Sequence, residues 1–159
     1  MKILVTGING QDGAWLAKDL IEQGHEVIGT IRRGATNNLG RLEYLEIKDK
    51  IKLVPCDISE FGNVFNVLRK EKPDQIYNLA AQSFVAESFT SPLMTNKINY
   101  MGVFNILESI RTLELDCGIY QASSSEMFGE VQVSAQNEDT NFYPMSPYGV
   151  SKVGAHHAV

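Results

Sequence analysis

The chain has 159 residues, 43% of them hydrophobic and 21% charged, and a net charge of −5. That length and balance suit one soluble domain with a sizeable core. The negative charge argues against a non-specific nucleic-acid surface, and no apolar run approaches the ~20 residues of a membrane span. The start, MKILVTG, lacks the apolar stretch and small-residue cleavage site of an export signal. Cys56 and Cys117 lie near apolar strand residues without CxxC spacing, so both read as buried free thiols in a reducing, cytoplasmic setting.

In chain order, Lys2-Ile3-Leu4-Val5 reads as a buried parallel strand running into Thr6-Gly7. Asp12 to Gln23 carries Trp15, Leu16, Leu20 and Ile21 at helical spacing and stops at Gly24. Glu26–Thr30 is a second strand, 41–47 a short helix, and 52–56 a third strand. A helix over 60–70 places Phe61, Val64, Phe65 and Leu68 on one face. Gln75–Leu79 is a fourth strand, and 92–113 one helix with a wide apolar face whose Gly102 lets another element pack close. Gly118–Ala122 is a fifth strand, and a last helix begins near Pro147. Alternating strands and helices predict an α/β, Rossmann-type doubly wound parallel sheet. The last helix meets no stop signal before Val159, so residues 1–159 are expected to be the front, incomplete part of a dinucleotide-binding domain, truncated before a C-terminal substrate domain.

Thr6-Gly7-Ile8-Asn9-Gly10-Gln11-Asp12-Gly13 lies between the first strand and the first helix. Gly7 permits a tight turn, Gly10 lets backbone approach a pyrophosphate, and Gly13 lets helix meet strand. Backbone N–H groups at the helix start then face the negative charge. An acidic residue after the second strand would hold a ribose 2′-OH; here Arg32 and Arg33 stand there. Their forked, permanently charged donors suit a 2′-phosphate, which favours NADP, although a solvated arginine pair is the alternative. Asp57-Ile58 flanks the adenine, or Asp57 is a helix N-cap. Leu79-Ala80-Ala81-Gln82-Ser83 offers small residues where the cofactor backbone passes.

Tyr148 and Lys152 are four apart and share a helix face. A nearby ammonium stabilises a phenolate, so the tyrosine can take a proton from an alcohol while hydride leaves the same carbon. Ser124 and Glu126, in the run ASSSEMFGE, point to one side if the backbone there stays extended, placing a hydroxyl and a carboxylate opposite Tyr148. Ser83 and Glu87 approach the same space, Glu87 alternatively being a solvated residue. His156 and His157, adjacent on a helix, point to different faces without acidic or cysteine partners, so no metal site is expected, and His25 reads as a turn residue.

GxxGxxG, the LAAQS strand end, the serine-rich fifth strand end and YxxxK together resemble the extended short-chain dehydrogenase/reductase family. TGINGQDG, IRRG followed by Gly40-Arg41, YNLAAQSFV, YQASSSEMFGE and FYPMSPYGVSK are most similar to its branch that dehydrates GDP-mannose. The resemblance implies NADP as cofactor and redox-neutral removal of water from a nucleotide sugar. Tyr148 would take the C4 hydroxyl proton, and Glu126 would remove the C5 proton and help water leave C6. Ser83, Ser124 and Glu126 would touch the sugar, and Tyr148 and Lys152 the nicotinamide ribose. Ser124 stands where the family usually has threonine, keeping the hydroxyl without the methyl that restricts its rotamer. Ser125-Glu126 departs from the Asp-Glu pair of related dehydratases acting on other nucleotide sugars. The resemblance also implies a homo-oligomer, dimer or tetramer, in the full-length form, with 33–41 near a subunit contact and the neighbour's cofactor. A reductase or epimerase on another nucleotide sugar, or a non-catalytic NADP-binding module, are the alternatives.

Overall fold

The computed structural model describes residues 1–32, 34 and 38–159. Five strands, β1 (Lys2–Thr6), β2 (Glu26–Ile31), β3 (Lys52–Pro55), β4 (Gln75–Asn78) and β5 (Gly118–Gln121), form one sheet in the order β3-β2-β1-β4-β5. Every pairing is parallel. The strand order reverses at β1, which pairs with β2 on one side and β4 on the other. Alternation along β1 sends Ile3 and Val5 to one face and Leu4 to the other. The first face packs with Ala14, Ala17 and Leu20 of α1 (Gln11–Glu22) and Leu42 of α2 (Gly40–Tyr44). The second packs with Val64 and Leu68 of α3 (Phe61–Glu71) and Ile106 of α6 (Gly102–Thr112). The chain is a Rossmann-type doubly wound α/β domain, as the alternating pattern predicts.

Several details differ from the sequence reading. The apolar stripe of α1 is built from small residues, Gly13, Ala14 and Ala17, and Trp15 points outward at 54% exposure, because the helix lies too close to the glycine turn for an indole. Phe61 is likewise exposed at the start of α3. The long helix over 92–113 is broken into α5 (Pro92–Asn96), a π-helical turn (Lys97–Met101) and α6, after a short α4 (Glu87–Thr90). The widened π turn buries Asn99 while leaving Met101 exposed. Gly102 does admit a close neighbour: a Cβ there would lie 2.9 Å from Ile58 Cδ1. Cys56 is buried, whereas Cys117 is only partly so. Burial pushes both thiols up to about 11, which keeps them protonated near neutral pH.

Candidate active site

The C-terminal ends of the parallel strands meet at a cavity of about 490 Å³, within the range of small-molecule sites. It opens beside β1, where open α/β sheets hold ligands. Gly7, Asn9 and Gly10 of the glycine turn line it, with Arg32 after β2, Asp57 and Ile58 after β3, and Leu79, Ala80, Ala81 and Ser83 after β4. Thr30, Gly34, Cys56 and Ile98 also line it, and the sequence reading gives none of them a role in a site. Arg33 falls outside the described residues.

The glycine turn is shaped by contacts that a side chain would destroy. Gly7 has φ +66°, and a Cβ there would lie 2.9 Å from Ala80 N. A Cβ on Gly13 would collide with the carbonyl oxygen of Gly7, so α1 starts with its N–H groups directly over the turn. Ile8 is a different matter: its side chain is fully buried and packs against Gly29. It therefore contributes backbone to the turn and apolar volume to the core. Gln11 and Asp12 are exposed at the first turn of α1 and do not line the cavity. Asp57 serves neither as the α3 cap, which is Glu60, nor as a free carboxylate; its Oδ1 accepts from Ser59 N at 2.9 Å, making a turn at the cavity wall.

The second half of the site differs from the extended geometry predicted for the serine run. β5 ends at Gln121, and Ser125–Met127 form one 3₁₀ turn. Ser124 is extended and caps that turn, its Oγ accepting from Glu126 N at 3.2 Å. Strand alternation therefore does not align Ser124 with Glu126; the cap brings them together instead. Serine's preference for capping a local turn overrides the strand here. Glu126 is exposed and Ser124 partly buried.

α7 (Pro147–Ala158) begins with Pro147 at its first position, and the Ser146 Oγ cap accepts from Gly149 N at 3.0 Å. It runs alongside the serine turn. A Cβ on Gly149 would lie 2.6 Å from the Glu126 carbonyl oxygen, so the first turn of α7 abuts the turn that carries Glu126. One turn later, Lys152 Nζ donates to Ala122 O at 2.9 Å. One turn further, Ser123 Oγ and His156 Nδ1 are 2.9 Å apart. Tyr148 and Lys152 are both buried, with the ammonium 5.9 Å from the phenol ring centre. His156 and His157 do not diverge: their rings lie 5.4 Å apart, and both pack edge-on against Phe142. No group of three potential metal-ligating side chains occurs among the described residues.

Two buried networks, neither visible as a motif, join the halves. Thr6 Oγ1 donates to Asn78 Oδ1 at 2.6 Å, Asn78 Nδ2 to Gln121 Oε1 at 2.6 Å, and Gln121 Nε2 to Ala122 O at 2.9 Å. The carbonyl that receives Lys152 is thus tied across three strand ends to β1. Asn99, held inside the π turn, accepts from Gln82 N and donates to Gln82 O and to Ser151 Oγ, linking the end of β4 to α7. Gln82 Oε1 is buried without a partner among the described residues, an acceptor that a ligand donor would satisfy.

Burial pulls the Lys152 ammonium below its ordinary value of 10.5. The folded state therefore binds fewer protons than the unfolded one as pH rises through that lowered value. Stability increases with pH there and levels off above 10.5. Replacing Lys152 by Met removes a buried charge, while Ala122 O keeps its Gln121 donor. The expected result is a Lys152→Met protein that melts no lower than the parent at pH 7, with any advantage shrinking towards pH 10, read by thermal denaturation across pH.

A parallel sheet with a glycine-turn cavity at its switch point, followed by a helix that carries Tyr148 and Lys152 outside the cavity lining, is the arrangement of a Rossmann-type domain of the extended short-chain dehydrogenase/reductase class. The GDP-mannose 4,6-dehydratase family profile matches residues 4–159, and the chain belongs to that family. A GDP-mannose 4,6-dehydratase of Yersinia enterocolitica is 42% identical over 98% of this chain and 44% of its own length. One from Vibrio cholerae is 44% identical over 96% and 43%. The solved structure of the UDP-Glc/GlcNAc 4-epimerase of Campylobacter jejuni superposes with a TM-score of 0.87 at 26% identity, covering 99% of this chain and 47% of that one. The chain thus spans less than half the length of the curated relatives it matches.

Proposed function

We propose that this chain is the cofactor-binding and catalytic part of an NADP-dependent lyase that converts GDP-mannose to GDP-4-keto-6-deoxymannose. The observation that carries this reading is the Glu126 turn packed against the first turn of the Tyr148–Lys152 helix, whose Ser151 is joined through Asn99 to the end of β4, where Ser83 lines the glycine-turn cavity. Family membership supports the choice of sugar nucleotide.

The residues fit a dinucleotide. The Gly7 and Gly13 contacts leave no room for side chains, and Arg32 lines the cavity at the end of β2. When bound, NADP supplies a hydride acceptor that later returns the hydride to the sugar. Tyr148 takes the C4 hydroxyl proton as the C4 ketone forms. That ketone acidifies C5–H, Glu126 removes this proton and delivers it to the departing C6 hydroxyl, and Tyr148 returns the proton it holds to C5 once the hydride is restored at C6. Ser124 Oγ accepts from the backbone of Glu126, so its own proton remains to be donated to the sugar 4-oxygen. Lys152 has three N–H donors, one of them held by Ala122 O, and the others serve the nicotinamide ribose and Tyr148. Self-association fits the exposed Met94, Met101 and Phe104 of the α5–α6 segment.

Product analysis with GDP-mannose and catalytic NADP⁺, on the protein as its gene encodes it, tests the reading. The expected product is the 4-keto-6-deoxy sugar with no net change in NADPH. An epimerised hexose, or stoichiometric consumption of NADPH, would assign the epimerase or reductase chemistry instead. Cofactor binding without turnover would leave a binding module.

A further inference from the structure

Lys152 is buried at 4% exposure, yet it enters no salt bridge among the described residues. Its hydrogen-bond partner among them is the Ala122 carbonyl, at 2.9 Å. Whatever fixes that carbonyl therefore fixes the ammonium, which lies 5.9 Å from the Tyr148 ring centre. Ala122 O takes a second donor, Gln121 Nε2, also at 2.9 Å. Two donors fill both lone pairs of a carbonyl oxygen.

Gln121 is itself held from behind, and the direction of the chain is set at the cavity wall. Leu79 N and Ala80 N donate to Thr6 Oγ1 at 3.1 and 3.0 Å, and both residues line the cavity. With both its acceptor positions taken, the hydroxyl has only its proton to give, and Asn78 Oδ1 receives it at 2.6 Å. Asn78 must then present Nδ2 to its register partner Gln121, whose Oε1 accepts at 2.6 Å. That leaves Gln121 Nε2 facing Ala122 O. All three bonds run the same way, so each bond accepted by a carboxamide makes its N–H a stronger donor to the next group. A directed chain thus leads from the cavity wall, through two side-chain amides, to the seat of the lysine.

We propose, resting on the Tyr148–Lys152 chemistry above, that Gln121 is a positioning residue for Lys152, anchoring the Ala122 carbonyl so that the ammonium stays within reach of Tyr148 and the nicotinamide ribose. Gln121→Met keeps the length of the side chain and removes both hydrogen bonds. In the protein as its gene encodes it, kcat with GDP-mannose should fall about tenfold or more while KM stays within about twofold. In a Lys152→Met background the same substitution should cost no further turnover, because Gln121 acts through the lysine. A reading free of turnover comes from NMR of protein isotope-labelled at lysine Cε, where the Lys152 signal is the one missing from Lys152→Met. In Gln121→Met that signal should move to the position shared by the exposed lysines. Asn78→Leu/Gln121→Leu removes donor and acceptor together, and it carries the test if Gln121→Met does not fold. An unmoved Lys152 signal, or an equal loss of turnover in both backgrounds, would make Gln121 a strut between strand ends and overturn the proposal. A parent that forms an epimerised or reduced sugar would instead overturn the dehydratase reading, and the lysine signal would still decide the role of Gln121.

Discussion

Glu126→Gln should lower dehydration of GDP-mannose by about 10²–10⁴-fold, the usual contribution of a positioned general base. The amide keeps the shape of the side chain but cannot accept the C5 proton. The turn itself should survive, because Ser124 Oγ is bonded to the backbone N–H of residue 126 and not to its carboxylate. Glu126 is also exposed, so the melting temperature and NADP⁺ affinity should stay at the parent values. The decisive measurement pairs the product-formation rate with exchange of the C5 proton into deuterated solvent. Both should collapse together; unchanged product formation would remove Glu126 from the chemistry.

Gly129→Ala should be the most damaging small substitution near the site. Gly129 has φ +53°, which costs any residue with a Cβ, and a Cβ there would run into the Tyr143 carbonyl. That carbonyl accepts from Glu130 N at 3.2 Å, and Tyr143 N donates to Met127 O at 3.1 Å. These two bonds hold the turn carrying Glu126 against the segment that leads through Ser146 into α7. Breaking them separates the carboxylate from Tyr148. A loss of about 2 kcal/mol or more in chemical denaturation is expected, with turnover falling further than stability at temperatures where the variant remains folded. Dinucleotide binding should change least, since the glycine turn lies on other elements. Parent-like stability would show that the backbone there relaxes freely.

Much of this molecule is legible from local pattern. The five strands are placed within a residue or two, because buried parallel strands are short apolar runs between turn residues. The glycine turn is equally plain from its spacing: Gly13 is required by contact with Gly7 within one strand–turn–helix unit, although Gly7 also makes room for Ala80 after β4. Tyr148 and Lys152 share a helix face by spacing alone. Two of the misreadings concern choices that depend on a distant neighbour, and a third was decided by a local cap. Trp15 fits a helical stripe, yet the helix approaches the sheet through alanines and glycine. Ile8 sits in a cofactor motif, yet its side chain fills space left by Gly29. Ser124 and Glu126 alternate as strand residues should, yet a serine cap closes a turn between them.

By itself the sequence determined a doubly wound parallel sheet, a glycine turn between its first strand and first helix, and the shared helix face of Tyr148 and Lys152. These follow from periodicity, turn chemistry and spacing, which act over a few residues. The tertiary structure alone decided how the pieces are joined. Asn78 and Gln121 carry a hydrogen-bonded chain from β1 to the carbonyl that receives Lys152. Asn99, buried by a π turn, binds the end of β4 to α7. Arg41 reaches the glycine turn from 32 residues away. Such polar partners leave no periodic trace, because burial obliges each donor and acceptor to find a mate wherever the fold brings one within reach.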